Sequence, residues 1–210
     1  MKSIEANNFL DKIAKTVSFI LHPLFMPVYG MAIIFSAPTL LVYLPFQVKK
    51  ILFFVIVINN VLLPLSFLPF FKYKNVISSW IVENRRERII PLLITSILYG
   101  TTSYIIMRFP VPAFLKSYFF AAFFVSVAVT VINFWWKISI HSVGAGALTA
   151  AVLYLSFKMY TPLVWHLVAV ILAGGVVMSS RLWLNTHNTR QIWLGFLTGF
   201  LGLTLFMMFL

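Results

Sequence analysis

The chain has 210 residues, 61% of them hydrophobic and only 10% charged, with a mean hydropathy of +0.99. Soluble domains carry about 25% charged residues, so a soluble globular domain and a disordered tail are excluded; with no cysteine, so is a disulfide scaffold. Sixteen Lys and Arg stand against four acids, a formal net charge of +12, and nothing after Glu87 is acidic.

Residues 1–16 are polar and basic, with Ile4, Phe9, Leu10 and Ile13 near helical spacing, which predicts a short helix lying at the membrane interface. No compact apolar run there ends at a small-residue cleavage site, so the start does not read as a signal peptide. A first span is expected from about Val17 to Leu44, kinked or partly re-entrant at His22-Pro23 and Pro27. After Lys49-Lys50, a second runs from Ile51 to about Phe71. Its Asn59-Asn60 and Pro64 are expected to face other helices, because an amide turned to lipid finds no partner. The one substantial polar stretch, Lys72 to Arg88, ends in Glu83-Asn84-Arg85-Arg86-Glu87-Arg88.

Further spans are predicted at about 89–107, 117–135, 142–158, 162–179 and 191–210. Connectors such as Arg108-Phe109-Pro110-Val111-Pro112 and Lys158-Met159-Tyr160-Thr161-Pro162 have room only for turns. About 20 apolar residues cross a bilayer, so the expected fold is an all-α, polytopic integral membrane bundle of about six to seven transmembrane helices. Residues 1–16 form its interfacial segment and 17–210 a single transmembrane bundle.

Polar groups gather in three places: Arg85–Arg88, Lys137-Ile138-Ser139-Ile140-His141, and Ser180-Arg181 through His187 to Arg190-Gln191. Two spans separate the first from the second, and two more the second from the third. An even number of crossings returns the chain to the same side, so all three clusters meet on one face. Without acids after Glu87 and without cysteine, a carboxylate or thiolate metal cage is not expected, and no cofactor is. Nucleic acid is a poor partner, since the cations sit in short loops rather than on a folded module. Guanidinium groups, a lysine, hydroxyls and two histidines suit a phosphate. Two histidines flanking it can divide hydrolysis without a metal, one attacking phosphorus and the other protonating the leaving oxygen.

On these residues the chain resembles the type 2 phosphatidic acid phosphatase superfamily. Ser180-Arg181-x5-His187 matches the third motif, Ser-Arg-x5-His-x3-Asp, up to its final residue. Ile138-Ser139-Ile140-His141 keeps the Ser-x-His of the second, Pro-Ser-Gly-His. Arg85-Arg86-Glu87-Arg88-Ile89-Ile90-Pro91 is similar to the first, Lys-x6-Arg-Pro, at altered spacing. The motifs follow in the family's order, and the resemblance covers about residues 83–210.

The resemblance implies a membrane phosphatase hydrolysing a lipid phosphate or pyrophosphate, of the phosphatidate, phosphatidylglycerophosphate or polyprenyl pyrophosphate type. It makes His187 the nucleophile of a phosphohistidine intermediate and His141 the general acid. Arg181, Ser139 (through its backbone), Arg85 and Arg88 become phosphate-binding, with Ser180 beside Arg181 and Lys137 as a supplement. Gln191 stands where the family has an aspartate that orients the nucleophile. Its carbonyl can accept the imidazole N–H and set the tautomer, but it lacks the charge that stabilises an imidazolium. Glu83 and Glu87 are the candidates to supply that charge. If Gln191 replaces the carboxylate, Gln191→Asp is expected to keep or raise turnover.

Outside the motifs, His22 reads as a hydrogen-bonding residue at a helix end, on the same face as the clusters. His166 reads as structural. Trp135-Trp136, Trp183 and Trp193 have the placement of interfacial belt residues. Gly144-Ala145-Gly146-Ala147 and Gly174-Gly175 let helices approach closely. The face that holds the site carries eleven cations against five opposite, which favours the cytoplasm, but without Arg85, Arg88, Lys137 and Arg181 the count is seven against five. Bacterial members of the family commonly face the periplasm. The location read from this is the bacterial inner membrane, with both orientations open. Two other functions stay open: a catalytically weak relative that binds phospholipid headgroups or a protein partner, and an anion transporter.

Overall fold

The computed structural model describes residues 2–80, 82 and 84–209, with side chains from Asn8 onward, and its regular structure is all helical. Among the described residues nine α-helices follow one another: α1 (Lys2–Ile20), α2 (Met26–Ser36), α3 (Phe46–Ile56), α4 (Leu63–Tyr73), α5 (Ile89–Arg108), α6 (Ala113–Trp135), α7 (Ile140–Lys158), α8 (Val164–Trp183) and α9 (Thr189–Met208). Seven stretches among the described residues are long and apolar enough to cross a membrane. The protein is a multi-pass membrane protein.

Prolines account for the irregular stretches. Helices α3 and α4 are one rod joined by a π-helical turn, Val57–Leu62. Pro64 brings no N–H for the carbonyl four residues earlier, that of Asn60, and its ring crowds that carbonyl, so the turn widens. Asn60 is fully buried, and its side-chain oxygen accepts from Thr102 Oγ1 on α5 at 2.9 Å. Asn60 and Pro64 therefore face neighbouring helices, as their chemistry requires.

The first span divides at His22-Pro23 into α1, a 3-10 turn (Pro23–Phe25) and α2. Trp183 Nε1 donates to Asp11 Oδ1 at 2.8 Å, and His141 Nε2 donates to the Ser18 carbonyl at 3.1 Å. Trp183 closes α8 and His141 opens α7, so α1 packs against the ends of these two helices. The first helix thus runs on beyond residue 16 to Ile20.

Helix α7 is the most enclosed of the spans. It runs against α9 with the two backbones touching. A Cβ added to Gly146 would strike the Phe196 carbonyl, and one added to Gly199 would strike the Val143 carbonyl. Contact this close between apolar helices is driven by packing, and only glycine leaves room for it. Gly144 instead accommodates the Met26 side chain, Gly174 lies against Ala145, and Gly175 meets nothing within 4 Å.

Candidate active site

The α8–α9 connection is built from local hydrogen bonds. Asn185 takes a left-handed conformation (φ 51°) and its N–H reaches the Leu182 carbonyl at 2.9 Å, which ends α8. Asn188 opens α9: its side-chain oxygen accepts the Gln191 N–H at 2.9 Å, and Gln191 Oε1 accepts the Asn188 N–H at 3.2 Å. This is a capping box. The tight reversal leaves His187 between Arg181, in the last turn of α8, and Gln191, in the first turn of α9.

Gln191 Oε1 also accepts from His187 Nδ1 at 3.0 Å. Because that atom already receives a backbone N–H, it is the amide oxygen rather than the NH2 group that faces the imidazole. Nδ1 therefore carries the proton and Nε2 the lone pair. His187 is only 6% exposed. Burial holds its pKa down, to about 4; the hydrogen bond to Gln191 works against this, while the charges of Arg88, Lys137 and Arg181 add to it. At neutral pH the ring is uncharged and Nε2 is available.

The three sequence clusters do meet around this ring. Arg181 and Arg88 are each 7% exposed, although the sequence reading put Arg181 in a loop. Arg88 Nε donates to the Val82 carbonyl at 2.7 Å, which fixes the side chain at the foot of α5. Lys137 is half-buried in the α6–α7 connection. His141, in the first turn of α7, lies within electrostatic reach of Arg181 and His187.

Other expected site residues are placed differently. The Arg85 guanidinium donates to the Asn133 and Phe134 carbonyls at the end of α6, and Asn133 Nδ2 donates back to the Arg85 carbonyl at 3.1 Å. Arg85 therefore closes a helix end instead of joining the cluster. The Ser139 N–H, expected to contact phosphate, donates to the Gln191 carbonyl at 3.3 Å; its hydroxyl caps α7 with Ser142. The Ser180 hydroxyl donates to the Val176 carbonyl one turn back, at 2.8 Å. The Glu87 carboxylate accepts from the Ser78 N–H at 2.8 Å and from the Ser78 hydroxyl, bonds that hold its pKa down, so it does not stand in for the missing aspartate. Glu83 lies outside the described residues.

His22 also reaches this cluster. Its ring stands edge-to-face to His141, 5.3 Å between centroids with an interplanar angle of 84°. Its Nδ1 accepts the Leu24 N–H at 3.3 Å, the helix-end role expected for it. The crossing count had placed it on the right face, and only the fold of α1 brings it to His141. Asn188 was legible as well, since Asn-x-x-Gln ahead of an apolar run is a capping-box pattern.

Among the described residues, no three His, Asp or Glu side chains gather closely enough to hold a metal ion. No protein-family model, curated protein or solved structure matches this chain. The fold defines an all-helical, multi-pass membrane protein with a buried cluster of histidines and cations at one end.

Proposed function

We propose that this protein is a metal-independent phosphatase acting on a lipid phosphate or pyrophosphate at headgroup level, in the bacterial inner membrane. The observation that carries this reading is His187: buried, uncharged, held through Nδ1–H by Gln191, with Nε2 unprotonated among Arg88, Lys137 and Arg181. Nε2 attacks phosphorus, the bond to the leaving oxygen breaks, and protonated His141 donates its proton to that oxygen. Water then attacks the phosphohistidine, giving its proton to the now neutral His141, and phosphate leaves with His187 restored. Arg181, Arg88 and Lys137 stabilise the charge that builds on the phosphoryl oxygens. The motif resemblance supports the same assignment of roles.

One observation favours a second reading, a weak or inactive binder of phospholipid headgroups. Gln191 serves the helix cap and the imidazole with one neutral oxygen, so no described carboxylate supports an imidazolium at His187. To decide between them, purified protein is incubated in EDTA with short-chain phosphatidate, phosphatidylglycerophosphate and isoprenyl pyrophosphates, and free phosphate is measured. Release that disappears in His187→Ala supports the phosphatase. Headgroup binding that requires Arg181, with no release from any substrate, supports the binder.

A further inference from the structure

The last turn of α1 is capped in an unusual order. In an uninterrupted helix the Ser18 carbonyl would accept the His22 N–H, and the Phe19 carbonyl the N–H of residue 23. Pro23 has no N–H. The His22 N–H turns to the Phe19 carbonyl at 3.3 Å, and the Ser18 carbonyl is released. The Leu24 N–H, which would have gone to Ile20, is taken by His22 Nδ1, and the Ile20 carbonyl accepts from Tyr29 Oη at 2.7 Å. His22 itself is extended (φ −67°, ψ 140°), as a residue before proline must be. The Ser18 carbonyl, set free in this way, is the partner of His141 Nε2.

We infer that the His22-Pro23 break is a positioning device for His141: the Ser18 carbonyl it releases holds His141 with its proton on Nε2. A carbonyl can only accept, so the bond persists whether His141 is neutral or charged, and proton exchange falls to Nδ1. His22 is a positioning residue in this scheme. Its Nδ1 stabilises the extended turn, and its ring packs against the imidazole being held. The catalytic meaning of Nδ1 rests on the proposed phosphatase reading, whereas the tautomer does not.

The test uses full-length protein in detergent micelles with 15N-labelled histidine, His141 being assigned by the signals lost in His141→Gln. In the wild type, Nε2 is expected to show the shift of a protonated nitrogen and Nδ1 that of an unprotonated one. Pro23→Ala returns an amide donor to Phe19 and lets the His22 N–H go back to Ser18; the His141 signals are expected to average between tautomers. Turnover is then expected to fall about tenfold or more, with KM little changed. Should Pro23→Ala fail to fold, a pair at position 22 carries the test. His22→Asn offers an oxygen to the Leu24 N–H and is expected to keep the tautomer and most of the turnover, whereas His22→Ala loses both. An Nδ1–H tautomer in the wild type, or a tautomer unmoved in folded Pro23→Ala and His22→Ala, overturns the inference. The expected tautomers in a protein that releases no phosphate sustain the positioning and remove only the phosphatase reading.

Discussion

At the end of the bundle away from the site, Lys49, Lys50 and Arg108 rest on neighbouring aromatic rings. Lys49 Nζ lies 5.7 Å from the Phe35 ring and donates to the Val42 carbonyl at 2.5 Å; Lys50 Nζ lies 6.0 Å from Phe54, and Arg108 5.2 Å from Tyr104. These are snorkelling side chains whose contacts are local and satisfied at the surface. At the other end Arg88 and Arg181 are buried and their fields converge on one imidazole. Guanidinium groups gathered around one ring in this way suit the phosphate of the proposed substrate. The difference between the ends therefore says more about function than the net charge of +12 does.

The comparison breaks most sharply at His187. His187→Ala is expected to lower phosphate release at least about 1,000-fold, while Lys158→Ala, at the far end, leaves the rate unchanged in the same assay. Arg181→Ala is expected to lower kcat/KM by about 100- to 1,000-fold, and Arg108→Ala by less than about twofold; equal losses from the two would erase the distinction between the ends.

Gln191→Glu sharpens the site further. A carboxylate there keeps both the cap and the His187 hydrogen bond and adds charge, so turnover is expected to rise about tenfold or more; steady-state kinetics that show a fall would dismiss the orienting role. The protonation of His187 can be followed by pH. Its ordinary pKa of 6.5 applies to the unfolded chain and about 4 to the folded one. The unfolded state takes up the proton first, so its contribution to stability is lost as pH falls from about 6.5 to about 4. The difference in melting temperature between wild type and His187→Gln should change across that window and stay constant above it. The smallest effect belongs to Arg85. Arg85→Ala is expected to cost about 1 kcal/mol through the lost cap on α6, with kcat unchanged, as a melt beside a rate assay would show.

Much of the candidate site could be read without coordinates because it is local. The spacing of Arg181, His187 and Gln191 spans one helix reversal, and the chemistry of Asn185 and Asn188 determines how that reversal is made. Parity of crossings brought three distant loops to one face by counting alone. What could not be read was the direction of each side chain. Arg85 and Arg88 sit one turn apart in the same basic run, yet one closes α6 and the other joins His187, because the end of α6 presents open carbonyls beside the first and not the second. Ser139 and Ser180 look like ligands by motif, but helix starts and helix interiors consume their hydrogen-bonding groups locally.

Hydropathy accumulates residue by residue, so composition and order were enough to determine an all-helical membrane protein, its spans and the side on which its cations collect. Only tertiary structure decided that α1 reaches His141 and Trp183, that His22 meets His141, and which cations surround His187. Those outcomes depend on which backbone carbonyls and amides remain unpaired once the helices have packed, and that is a property of neighbours far apart in sequence.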